Sequence, residues 1–176
     1  QRYTQIGIPP ELLGSHIGPT KSHTTGRVHE LSFRAITALF GHAGLEWDIT
    51  TCTDDEKKQL KTWASYYKEK RELIHSGSMV RVEMVNPEIF VHGVVSKDKT
   101  NGLFAYANLG GQGGSKPGAI RFAGLDPEKK YHVKAVFPAG EPKFLQRQNI
   151  AWFEGIVLTG SALMHMGLQA PILFPE

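Results

Sequence analysis

Thr53-Asp54-Asp55-Glu56, and then Gly77-Ser78-Met79-Val80-Arg81-Val82-Glu83-Met84, bracket the stretch from which the fold is read. The first four residues form a capping box, in which the threonine hydroxyl and the glutamate carboxylate satisfy each other's orphan backbone amides. Asp54 and Asp55 lie where the helix dipole favours anions. Leu60, Trp63, Ala64, Tyr67 and Ile74 then recur at helical spacing, with Lys57, Lys58, Lys61, Lys68 and Lys70 mostly off that face. The pattern predicts a helix ending at about His75. Beyond Gly77 the period falls to two, since Val80, Val82 and Met84 alternate with Arg81 and Glu83. A helical part thus gives way to a β part, with the boundary placed between residues 1–76 and residues 77–176.

Working toward the carboxyl end, Ile89 to Val95 is a nearly continuous apolar run. Thr100-Asn101-Gly102 supplies a hairpin turn before Leu103 to Ala107. Ile120 and Phe122, then Tyr131, Val133 and Ala135, continue the alternation across Gly124-Leu125-Asp126-Pro127. Ile156 to Leu158, Ala162 to Met166 and Ile172 to Phe174 read as later strands. Most of the glycine and proline lies in this part, as many short strands require. The expectation is an antiparallel sandwich.

Toward the amino end, Ile8-Pro9-Pro10 is broken by its prolines, and Ser15 to Gly26 is polar and reads as a long exposed loop. Val28 to Phe40 approximates helical spacing, and Leu45 to Ile49 alternates as an extended segment would. Gln1-Arg2-Tyr3-Thr4 carries neither an initiating methionine nor a leader pattern, so the chain reads as cut from something longer.

Composition excludes more than it names. The 176 residues hold 20 basic and 17 acidic side chains, a net charge of +3 without a basic run, so no nucleic-acid partner is expected. No stretch approaches the roughly 18 uninterrupted apolar residues of a membrane span. The single cysteine, Cys52, excludes an internal disulfide framework and a cysteine-rich zinc module, and it reads as structural.

Four groups of residues could carry chemistry. Gly110 to Gly118 is glycine-rich, but Ser115-Lys116-Pro117 has the wrong order for a phosphate loop, and an inter-strand loop is the plainer reading. His16, His23 and His29 have gaps matching neither one helical face nor a zinc motif, so no metal is expected. His16 alone stays of interest, because Gly14 and Gly18 flank it and let backbone approach a ligand closely. Glu46 and Asp48, about 6.5 Å apart on a strand, would suit the carboxylate pair of a retaining glycosidase, although paired carboxylates on one strand are more often a solvated face or a cap. Among the aromatics, Trp63 and Tyr67 have core spacing, whereas Trp47 and Trp152 stay open as platforms for a sugar ring.

Pro9-Pro10-Glu11-Leu12-Leu13-Gly14-Ser15-His16-Ile17-Gly18, followed by Ser22-His23-Thr24-Thr25-Gly26-Arg27, closely resembles a motif of the family-36 glycoside hydrolases, the retaining α-galactosidases of bacteria and their relatives. The likeness continues through Ala38-Leu39-Phe40-Gly41, Leu45-Glu46-Trp47-Asp48-Ile49, Tyr66 to His75, Val94 to Lys99, Gly124 to Tyr131 and Gly160-Ser161-Ala162-Leu163-Met164 through Leu168. It covers essentially the whole chain.

The resemblance implies an α+β chain. Residues 1–76 would be the end of a (β/α)8 barrel, its last strand (Ile6 to Leu13) and last helices. Residues 77–176 would form an antiparallel β-sandwich of Greek-key type. It also implies that the catalytic nucleophile and acid/base lie upstream, so that no catalytic residue is assigned here. Glu46 and Asp48 do not align with that pair. Ser15 and His16 are left as residues shaping the sugar pocket, since the loop from Gly14 to Arg27 would leave the carboxyl-terminal mouth of the barrel. The implied partners are α-galactoside oligosaccharides, with no cofactor, no metal and no membrane, in a cytoplasmic protein. Strands and helices parted from a barrel leave apolar faces uncovered, so a homo-oligomer is expected. Two other readings stand beside this one: a stand-alone sandwich that binds or supports without catalysis, and a small enzyme working through Glu46 and Asp48.

Overall fold

A computed structural model describes residues 8–110 and 117–175, which form two compact units. One ends at His75 and takes in Phe137–Glu141; the other comprises Ser76–Val136 and the chain from Pro142 onward.

In the first unit, strand β1 (Gly14–Ile17) lies parallel to β2 (His42–Leu45), pairing Gly14 with His42 through Ile17 with Leu45. Parallel neighbours need a long crossover, and the connection contains helix α1 (Leu31–Ala38). Its apolar residues Leu31, Ala35 and Ala38 are buried, as are the following Leu39 and Phe40. Helix α2 (Asp54–Ser76) begins at the expected capping box: Thr53 N donates to Glu56 Oε2 (2.9 Å) and Glu56 N donates to Thr53 Oγ1 (3.2 Å). Trp63 is buried and its indole N–H donates to the carbonyl of Ala139 at 3.0 Å, which ties the Phe137–Glu141 segment to this unit.

Here the structure corrects the sequence reading. The segment expected as an exposed loop from Ser15 contains β1, and its tip is a small hairpin with Lys21 bridged to Val28. The strand was unreadable locally because its partner is 28 residues away and its side chains are mostly polar. The closing strand expected over Ile6 to Leu13 is, where described, a 3-10 turn at Pro10–Leu12, while residues 1–7 lie outside the described residues. Two paired parallel strands therefore stand here, displaced from the extended segments expected over Ile6 to Leu13 and Leu45 to Ile49. Extended structure ends at Leu45, and Ile49–Thr51 is a 3-10 turn.

In the second unit, β3 (Ser78–Val82), β4 (Ile89–Val95) and β5 (Gly102–Asn108) form an antiparallel meander. The strands β6 (Ala119–Ile120) and β9 (Leu168–Gln169) pair antiparallel, as do β7 (Lys130–Val133) and β8 (Ile156–Thr159). One apolar core joins them, with Val82, Ile89, Val91, Val95, Phe122 and Leu163 among its buried members. The β4–β5 turn spans six residues rather than closing on Asn101-Gly102. Ser96 N donates to Asn101 O (2.9 Å), Lys99 adopts φ 55°, and the Asp98 carboxylate accepts from Ser96 Oγ and from Thr100 N and Oγ1. Those bonds hold the Asp98 carboxyl well below its ordinary pKa, at about 2.

Two expected strands are absent. Ala162 to Met166 belongs mostly to a short helix, α3 (Gly160–His165), because Thr159 caps it by accepting from Ala162 N (3.2 Å). Gly167 ends it at φ 72°. A side chain at Gly160 would collide with the carbonyl of Asp126, so the glycine lets the helix start pack on the Asp126–Lys129 turn. Ile172 to Phe174 supplies only a bridge from Leu173 to Phe144. The glycine-rich segment at residues 111–116 lies outside the described residues.

His92 is buried on β4, stacked on Phe90 with ring centroids 4.6 Å apart and paired in register with Arg81. Burial, and secondarily the Arg81 charge, lowers its pKa to about 4. An unfolded chain protonates His92 near pH 6.5 while the folded one resists until about pH 4. Its neutral state therefore supports the fold fully above pH 6.5, and that support drains away between the two values. Urea unfolding of the second unit should weaken by up to about 3 kcal/mol from pH 7 to pH 4, and His92→Phe should flatten that slope.

Candidate functional site

The carboxyl-terminal ends of parallel strands are where α/β folds build their sites, because the loops leaving them converge there. In this chain those loops are residues 18–30 after β1 and residues 46–53 after β2.

Ser15 is 4% exposed, and its hydroxyl donates to the Ala38 carbonyl at 2.6 Å, turned toward α1 rather than outward. A side chain on neighbouring Gly41 would meet that hydroxyl and the Leu13 carbonyl. His16 points the other way along the pleat and is exposed. Its Nδ1 lies 3.7 Å from Glu46 Oε2. Its ring lies against Gly44, the residue opposite it in register, where a side chain would crowd the imidazole. One further bond follows the ladder, Glu46 N donating to Ile17 O at 3.1 Å, which holds Glu46, just past the end of β2, diagonally across from His16.

The two carboxylates singled out in the sequence have different partners, Glu46 beside His16 and Asp48 beside Thr50. Asp48 accepts from Thr50 Oγ1 (2.6 Å) and Thr50 N (2.9 Å), capping the Ile49–Thr51 turn. The Thr50 hydroxyl and amide together lower the Asp48 pKa, so it is fitted to stay an anion rather than to carry a proton. His23 sits exposed in the hairpin, and His29 packs on Phe33 with centroids 5.1 Å apart. Among the described residues no group of three or more His, Cys, Asp or Glu is placed to hold a metal ion. Cys52 is free and buried, and burial pushes its thiol pKa up, the wrong direction for a nucleophile. Trp63 and Trp152 give their indole N–H groups to Ala139 O and Gln169 O and serve packing.

The residue that organises the site is Arg34, which sequence reasoning missed. Its guanidinium donates through Nη1 to Gly18 O (2.5 Å), through Nη2 to Thr20 Oγ1 (3.2 Å) and through Nε to His29 O (3.2 Å). It also lies over the Trp47 ring, 4.7 Å from the centroid. Thr20 passes the contact on by donating to Glu56 Oε1 at 3.0 Å, the carboxylate that caps α2. One planar cation thus fixes both ends of the β1 loop, the Trp47 side chain after β2 and, through Thr20, the start of α2. Burial lowers the Arg34 pKa and the nearby Glu56 raises it in part; arginine stays charged throughout. The available signal was that Arg34 is the one charge in α1, Leu-Ser-Phe-Arg-Ala-Ile-Thr-Ala.

Comparison with known proteins gives this layout a class. Residues 1–77 match the Melibiase family model, and residues 90–172 match the glycosyl hydrolase family 36 C-terminal domain. An α-galactosidase of Escherichia coli is 38% identical across all of this chain, which covers 26% of that protein. The galactosidase domain of the α-galactosidase–sucrose kinase AgaSK superposes with a TM-score of 0.79 at 26% identity, covering 99% of this chain and 22% of that one. The α-galactosidase AgaB of Geobacillus stearothermophilus superposes with a TM-score of 0.70 at 26% identity, covering 96% of this chain and 20% of that one. These are glycoside hydrolases. The chain belongs to glycosyl hydrolase family 36, and it spans about a quarter or less of the length of these relatives.

Arg34→Lys keeps the charge but loses the fork that reaches three acceptors. It should lower the stability of the first unit by about 2 kcal/mol. Hydrogen exchange checks this: the amides of Ser22, Gly26 and His29 should exchange faster, while that of Val94 in the second unit stays unchanged.

Proposed function

We propose that this chain is the closing part of a retaining α-galactosidase, an enzyme that removes terminal α-linked galactose from oligosaccharides. In this reading β1, α1, β2 and α2 complete the (β/α)8 barrel, and the second unit is the antiparallel sandwich that follows it. The observation that carries the reading is the 38% identity to an α-galactosidase over the full length of the chain.

The residues then take complementary roles at the mouth of the barrel. Double displacement needs a carboxylate nucleophile and an acid/base on opposite sides of the glycosidic bond. As the family resemblance implies, the nucleophile and acid/base are assigned to the part of the enzyme outside these 176 residues; Asp48 is engaged by Thr50 and Glu46 lies beside His16. His16 shapes the pocket directly. Ser15 does so from behind, by locking β1 to α1 so that the imidazole keeps its place. No cofactor or metal is needed by this chemistry. A cytoplasmic location goes with the reading. Among the described residues no helix is long and apolar enough to cross a membrane.

An open apolar groove supports incompleteness of the first unit. Ile17, Leu39, Leu45, Leu60, Trp63 and Tyr67 line a space of about 540 Å³, edged by Lys57, Lys61, Lys68 and Arg71. In an intact barrel neighbouring elements would cover such a surface. Alone, the chain should cover it by self-association, and sedimentation velocity should show a species heavier than the 19.5 kDa monomer. A monomer at all concentrations would contradict that expectation.

Activity tests the function itself. The chain alone should not hydrolyse 4-nitrophenyl α-galactoside. A chimera in which it replaces the matched segment of the Escherichia coli relative should do so, with kcat within about tenfold of that enzyme, a loss of at most 1.4 kcal/mol in the barrier. Turnover by the chain alone, or a folded but inactive chimera, would refute the proposal.

A further inference from the structure

Trp47 differs from the other two tryptophans. Trp63 and Trp152 have indole N–H groups bonded to backbone carbonyls and rings packed into their units. Trp47 lies two residues beyond the end of β2, is half-buried, and carries a guanidinium over its ring. That guanidinium is held by Gly18 O, Thr20 Oγ1 and His29 O, so its position does not depend on the tryptophan. The indole rests on a fixed cation.

Sugar sites use such surfaces. A pyranose has a C–H face that packs on a flat aromatic ring, and a rim of hydroxyls that need hydrogen-bonding partners. A ring immobilised in advance binds better because little side-chain freedom remains to be lost on association. Next to Trp47 in the chain is Glu46, whose carboxylate lies 3.7 Å from the exposed imidazole of His16. Asp48, on the other side, is turned away into its Thr50 cap.

We infer that Trp47 is a sugar-stacking platform of the site at the carboxyl ends of β1 and β2, and that Arg34 is its positioning residue. This rests on the α-galactosidase reading only for the identity of the sugar. Arg34 acts through Trp47, and its charge is engaged by the loop and the ring.

The three indole N–H signals provide the test on the chain as it stands. In a 1H–15N titration with raffinose or melibiose, the Trp47 indole signal should move saturably in the millimolar range, while Trp63 and Trp152, tied to Ala139 O and Gln169 O, stay in place. Arg34→Gln should weaken the Trp47 response about tenfold with the other two indole signals unmoved, and Arg34→Lys should fall between, because it keeps the cation but not its fork. A Trp47 signal that ignores both sugars, or three signals moving alike, would overturn the platform. An undiminished response in Arg34→Gln would overturn the positioning role. Maltose separates the two levels of the argument. An equal response to this α-glucoside leaves the platform standing and removes the galactose assignment, whereas selectivity for raffinose and melibiose supports both.

Discussion

The parallel pairing of β1 with β2 is the constraint from which the first unit follows. Two strands running the same way cannot be joined by a turn, so the chain from Gly18 to Gly41 must travel back along the sheet, and it does so partly as α1. That return brings Ala38 under Ser15 and sends both outgoing loops to the same end of the pair. The juxtaposition of His16 with Glu46 is a direct result, because Glu46 lies two residues past Gly44, the residue opposite His16 in the ladder. So is the reach of Arg34, which sits on the crossover helix and spans the loops from both strands.

The second unit solves a different problem. Two of its strand pairs, β6–β9 and β7–β8, are only two and four residues long, so the ladder alone cannot hold them. A shared core does, with Phe104 and Phe122 meeting edge-on at 5.0 Å and Leu163 wholly buried. Buried polar links tie the carboxyl-terminal stretch onto β5: Tyr106 donates to Pro171 O at 2.8 Å, and Asn108 to Leu173 O at 2.8 Å. This explains why Ile172 to Phe174, apolar enough to read as a strand, needs only a single bridge to be held in place.

In functional terms the first unit has the supports of a site more than its reactive groups. Caps, clamps and buried hydroxyls account for Asp48, Glu56, Thr53 and Ser15, which leaves His16 and Glu46 exposed and Trp47 half-buried on Arg34. The chain spans about a quarter of the length of the relatives it matches, and its first unit carries an apolar groove edged by basic side chains.

The sequence by itself determined what depends on neighbours a few residues apart. The capping box at Thr53, the long helix after it, the alternation around β3, the apolar run of β4 and the run after the turn that becomes β5 are all set by local sequence and appear close to where it puts them. The family motifs were legible in the same way, as short strings in order. Only the tertiary structure decided the rest. Gly14 to Ile17 became a strand because His42 to Leu45 lay ready to pair with it, and Gly160 to His165 became a helix because Thr159 capped it and a glycine fitted against Asp126. Nothing local marked the role of Arg34; the crossover sets its guanidinium against the loop after β1 and over the Trp47 ring. Local geometry is written in adjacent residues, but a partner tens of residues away is chosen by packing, and in this protein the site is made of such partners.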